Sequence, residues 1–203
     1  MAWDDLGRLA EEEGKHEREK WIGVYIGVLA VMLAICSMGG GNAAKEMTLK
    51  HVEAANTWAF FQAKNMRRHV LRLQVDAFDL RLATEKGLTE ADKAAIAAKV
   101  ADYRKQDEVL TKDPDKEPGK REGLDQLWDK GRALEAARDV AMRQDPYFDY
   151  AEAFLQIAIV LASVSLITRR GTLLLSASAL LAFLGALLTA NGFTLAFAVP
   201  FIG

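Results

Sequence analysis

The chain has a single cysteine, Cys36, so an intrachain disulfide is excluded. Its three histidines, His16, His51 and His69, have no ligand spacing among themselves, and His-Glu-x-x-His does not occur. No metal site or other cofactor is therefore expected. Pro118-Gly-Lys120 lacks the first glycine and the following Ser or Thr of a phosphate loop. No nucleophile elbow or carboxylate pair stands out from the 28 acids, so catalysis is not expected either. Prolines number four, at 114, 118, 146 and 200, which leaves long stretches free to be helical. A net charge of −2 lacks the basic surface that nucleic acid demands.

The most informative absence is charge itself. No Asp, Glu, Lys or Arg occurs from Trp21 to Ala44, and none from Gly171 to Gly203. Between Lys45 and Asp149 the chain instead carries 20 basic and 20 acidic residues. Globular cores interleave charge at helical or strand spacing, so this segregation is a membrane pattern. Three spans are expected: residues 21–39, 150–168 and 172–191. Each is close to the roughly 20 residues that cross about 30 Å of hydrocarbon. Trp21 and Tyr25 suit an interfacial aromatic belt. Seven acids precede the first span and no small-x-small site follows it, so it reads as a retained anchor rather than a cleaved signal.

Arg169 and Arg170 separate the second and third spans. An Arg at mid-bilayer costs about 2.5–3.5 kcal/mol, so the pair belongs at an interface, as the turn of a hairpin. The positive-inside rule then puts that turn and residues 1–20 in the cytoplasm and the charged middle on the far side. Residues 192–203 form an apolar tail too short to cross again, expected to extend the third span, lie at the interface or pack in a subunit contact.

Residues 42–149 read as three helices, at about 43–86, 89–112 and 123–149. Asn42 after Gly39-Gly-Gly41 predicts a fresh helix start, Gly87 a helix end, and Thr89-Glu-Ala-Asp92 a capping box. The charged stretch 112–121 with its two prolines predicts a loop. The first helix carries Leu49, Val52, Asn56, Ala59, Ala63, Met66, Val70, Leu73, Ala77 and Leu80 at alternating spacings of three and four, a coiled-coil or long-hairpin signal. Because the segment leaves and re-enters the membrane on one face, a long outbound helix should be matched by two shorter return helices. The expected fold is thus an all-α membrane protein, three transmembrane helices plus a long antiparallel, coiled-coil-like stalk. Alanine-rich seams bury little area, so lateral association of several chains is expected.

Contact candidates follow. Gly23-x-x-x-Gly27 and Ala182, with Ser178 and Ala186, follow the small-x-x-x-small pattern, which serves contacts within one chain or between chains. Asn56 in the apolar stripe either fixes register and oligomer number or, if the helix is rotated, faces solvent. Trp58, Phe61, Ala63 and Met66 are packing candidates rather than a ligand box. Glu152 and Gln156 are polar at the entry of the second span.

The stretch Asn56-Thr-Trp-Ala-Phe-Phe-Gln-Ala-Lys-Asn-Met66 resembles the signature of a bacterial family of uncharacterised membrane proteins. There, Trp-Ala-(Tyr/Phe)-(Tyr/Phe)-Gln-Ala-Lys follows one N-terminal span, and two spans close the chain. Leu188-Thr-Ala-Asn-Gly-Phe193 is similar to that family too. The resemblance covers nearly the whole chain and implies a bacterial membrane setting; it supplies no activity, and no functional residues carry over from it. The expected function is a homo-oligomeric structural or scaffolding protein of the bacterial inner membrane, partnered by the lipid bilayer and by copies of itself. The alternative is a small oligomeric channel or transport accessory lined by Gln156, Ser163, Ser165, Ser176, Ser178 and Asn191.

Overall fold

A computed structural model describes the backbone of residues 2–168 and 171–200, with side chains from His16 onward. Four α-helices account for most of it, with no strand among the described residues: α1 (Ala2–Thr84), α2 (Glu90–Lys112), α3 (Leu124–Ile167) and α4 (Gly171–Thr194). A short 3₁₀ turn, Pro118–Lys120, lies between α2 and α3. The chain divides into an apolar unit, Met1–Met47 with Asp139–Gly203, and a charged unit, Thr48–Arg138.

One expected interruption is absent. Helix α1 continues through Gly39-Gly-Gly41 and Asn42, and Asn42 caps nothing. The reason is a close approach. A Cβ on Gly39 would fall 2.5 Å from Phe148 Cε1, and one on Gly40 would fall 3.1 Å from Phe148 Cβ. These glycines make room for a ring rather than ending a helix, and the intact ladder around them holds the conformation despite glycine's entropic cost. Helix α3 runs unbroken across Pro146, so the stretch expected at 123–149 feeds directly into that expected at 150–168. At the other end of α1 the helix stops at Thr84, and Gly87 follows in a turn without a positive φ.

In the apolar unit, α1, α3 and α4 pack through small side chains. Ala151, Ala158 and Ala182 are buried with Leu29, Cys36, Leu155 and Leu188. A Cβ on Gly185 would meet Leu155 Cγ at 2.9 Å, so glycine sets that α3–α4 separation. The outward faces stay apolar: Val24, Val28, Val31 and Ile35 on α1, Ile157, Val160 and Val164 on α3, and Leu180, Phe183 and Leu187 on α4. A helix that is apolar all round belongs in a protein core or a bilayer, and the interior of this unit covers only about a quarter of each such segment. All three helices are long and apolar enough to cross a membrane.

The charged unit is an outbound helix with a two-helix return. Phe78 meets Tyr103, Arg72 pairs with Asp107 at 3.0 Å and Asp79 with Arg104 at 3.1 Å, so α2 runs antiparallel to α1. The return continues in α3, where Trp128 packs on Phe61 and Gly131 on Trp58. Thr89 and Asp92 form the capping box that starts α2. Asp113 ends it in the left-handed region, at φ 47°, with its amide bonded to the Val109 carbonyl.

That cap organises the loop. Asp113 Oδ2 accepts the Glu122 amide at 3.0 Å and pairs with Lys116 at 3.2 Å. The Glu122 amide first, then Lys116 and the nearby Lys64 charge, hold the Asp113 carboxyl below its ordinary range. A carboxyl whose folded pKa is depressed contributes stability that is fully present above its unfolded pKa, about 3.9, and lost as pH falls through the folded value. Asp113→Asn keeps an acceptor for Glu122 and tolerates the left-handed backbone. It should therefore be less stable than the parent chain at neutral pH, with the gap closing below about pH 4. Denaturant melts followed by circular dichroism across pH check this, and a gap that does not depend on pH contradicts it.

Candidate functional site

The polar groups of the apolar unit are spent on holding it together. Ser178, fully buried on α4, donates to the Ala158 carbonyl of α3 at 2.6 Å. Its single proton being used there, the Tyr25 hydroxyl 3.1 Å away on α1 donates to Ser178 Oγ. One serine thus ties three helices. Ser178→Ala should cost about 1–2 kcal/mol in detergent unfolding, the size of hydrogen bonds between helices in apolar surroundings. No measurable loss would contradict that role.

Asn191, 1% exposed, donates from Nδ2 to the Phe197 carbonyl at 2.8 Å and accepts the Phe197 amide at 3.1 Å. Tyr147 accepts the Val199 amide at 3.1 Å. The chain beyond α4 is thereby folded back onto its own unit, after a left-handed turn at Leu195. Phe148 supplies the packing counterpart. Its ring sits in a socket of Gly39 and Gly40 on α1 and Gly192 on α4, and meets Phe193 edge-on at 4.9 Å. The Leu188–Phe193 stretch therefore provides a core leucine, a clamp for the tail and half of a ring socket.

The Trp58–Lys64 stretch does the corresponding work in the charged unit. Trp58 stacks edge-on against Phe61 at 5.6 Å and Trp128 at 5.2 Å, and its indole nitrogen donates to Glu135 Oε1 at 3.0 Å. A Cβ on Gly131 would lie 2.8 Å from the Trp58 ring. Lys64 donates to the Glu122 carbonyl and lies over the Phe60 ring at 5.0 Å. These aromatics join α1 to α3. Gly131 and Glu135 lacked any local signal, because their role appears only once α3 lies beside α1.

The profile of a domain of unknown function, DUF4337, matches residues 18–195. The chain belongs to the DUF4337 family. No curated protein and no solved structure matches it. In this DUF4337 chain Trp58, Phe61, Leu188, Asn191, Gly192 and Phe193 are accounted for by packing within the chain.

What packing does not use lies on the outside. The inward face of α1 in the charged unit runs through Ala54, Thr57, Phe61, Arg68, Leu71, Val75 and Phe78. The ten-residue stripe from Leu49 to Leu80 lies on the roughly opposite face, and every member of it is exposed. The antiparallel return helices thus do not pack on the stripe. Leu49, Val52, Met66, Val70, Leu73 and Leu80 are each at least half exposed. Asn56 and Ala63 share this face. In the apolar unit Gly23 and Gly27 are also exposed, and a Cβ on either would meet nothing within 4 Å, so their close-approach face is not used among the described residues. Ala182 is buried at the α3–α4 contact. Arg169 and Arg170 lie outside the described residues. Among the described residues no three His, Cys, Asp or Glu are grouped to hold a metal.

Proposed function

We propose that this DUF4337 protein is a homo-oligomeric scaffold of the bacterial inner membrane without catalytic activity of its own. The apolar unit spans the bilayer three times, as its all-round apolar helices favour. Arg169, Arg170 and the N-terminus lie in the cytoplasm by the positive-inside rule, and the charged unit stands outside it as a helical stalk. The single observation that carries the oligomer is the exposed stripe Leu49–Leu80, a heptad face left uncovered by the described residues of its own chain.

The channel alternative has little to build on. Ser165, Ser178 and Asn191 are buried and bonded within the chain, and Ser163 and Ser176 donate to carbonyls of their own helices. Gln156 is exposed, but its amide is bonded to Glu152 one turn away. Mass photometry of the detergent-solubilised protein across a dilution series tests the oligomer. A discrete species of two or more chains is expected, and monomer at every concentration contradicts the reading.

A further inference from the structure

We infer that the Leu49–Leu80 face of α1 is the docking surface for α1 of a second copy of this chain, packed parallel and in register. The inference rests on the oligomeric scaffold proposed above and names the surface that assembles it.

Four observations converge on that occupant. First, the spacing is that of a helix partner. Positions 49, 56, 63, 70 and 77 alternate with 52, 59, 66, 73 and 80, the two core positions of a heptad sustained over more than four repeats. Lipid or a flat protein surface requires no such period.

Second, orientation selects parallel pairing. Copies inserted the same way in one membrane send α1 outward in the same direction. Each layer then faces its own copy, Leu49 on Leu49, Val70 on Val70 and Leu73 on Leu73. Asn56, the one polar residue among the ten, meets a second Asn56, whose amide donates and accepts in equal measure. A self-paired Asn is satisfied only in register, so sliding by a heptad strands it against Leu49 or Ala63.

Third, the flanking charges agree. In a parallel pair the residue before each first core position faces, on the partner, the residue five further along the sequence. Those pairs are Thr48 with Glu53, Ala55 with Phe60, Gln62 with Arg67, His69 with Gln74 and Asp76 with Arg81. One is of opposite charge and none is of like charge. Arg81 already pairs with Glu85 in its own helix, so an added Asp76 would extend an existing ion pair.

Fourth, the area suffices. A band about 47 Å long and about 10–12 Å wide gives about 500 Å² per copy, or about 1,000 Å² in all, the size at which specific interfaces begin. Beside the middle of the stripe α2 adds apolar surface. A groove of 740 Å³ is lined by Met66 and Val70 of the stripe with Val109 and Leu110 of α2, and rimmed by Arg67 and Lys105.

Single cysteines placed on the full-length protein in native membranes test the inference. Met66→Cys and Leu73→Cys should each form a covalent dimer under mild oxidation, several-fold more than Ala98→Cys on the exposed face of α2; the native Cys36 is buried and serves as background. Leu73→Glu should raise the concentration at which the oligomer dissociates by at least tenfold, while the helical circular dichroism stays that of the parent, because Leu73 is exposed within one chain. An oligomer that persists with no cross-linking at residues 66 and 73 and no effect of Leu73→Glu overturns this surface and leaves the scaffold reading standing. A parent chain that is monomeric overturns both.

Discussion

Phe148→Ala should lower the stability of the apolar unit by about 3–5 kcal/mol, the range for removing a buried aromatic ring. Phe148 is 2% exposed and fills the space left by three glycines from two other helices. Removing it empties a socket that the surrounding helices cannot close, because Gly39, Gly40 and Gly192 have no side chains to move into it. The converse change is informative as well. Gly39→Ala places a Cβ where the ring of Phe148 stands, with Phe193 on its other side at 2.9 Å. That overpacking should cost about 1–3 kcal/mol. The double change Gly39→Ala with Phe148→Ala should recover part of the loss, since the new methyl enters the vacated space. Steric-trap or denaturant unfolding in detergent reads all three. Additive losses would contradict direct contact between the two residues.

Trp58→Ala should have the largest effect in the charged unit. The substitution removes the ring on which Gly131, Phe61 and Trp128 converge, and leaves Glu135 without its indole donor. Because Trp58 is only half buried, we expect about 2–3 kcal/mol, below the full range for a core tryptophan. Trp58→Phe should keep most of the packing and lose the hydrogen bond, for about 1 kcal/mol. Hydrogen exchange locates the effect: amides of the first turns of α3 around Gly131 should lose protection first, while those of α4 keep theirs. Equal loss in both units would contradict a local staple.

Much of the fold was legible because its causes are local. Charge exclusion marks the three apolar segments, the Thr89–Asp92 spacing marks the start of α2, and Pro114 and Pro118 mark the loop. One reading failed where the cause is distant, and one stayed open between two alternatives. Gly39-Gly-Gly41 looks like a break, but Gly39 and Gly40 make room for a phenylalanine more than 100 residues away. The stripe Leu49–Leu80 was visible as a period, but a period does not say which neighbour it faces. Helix α1 has two usable faces, and the inward one includes Lys64, Asn65 and Arg68, which read as solvent residues. Their long stems and hydrogen bonds cover the helix contact instead: Lys64 reaches the Glu122 carbonyl and Arg68 bonds Asn65. The contact candidates divided accordingly. Trp58 and Phe61 join helices of one chain, whereas Asn56, Ala63 and Met66 face outward.

The central claim is that three helices cross the membrane and leave the charged unit on its outer side. Asp115 is exposed in the loop that follows α2, far in sequence from every apolar segment. An Asp115→Cys chain in intact bacterial cells should react with a membrane-impermeant thiol reagent to the same extent before and after lysis. Reaction only after lysis would contradict the account.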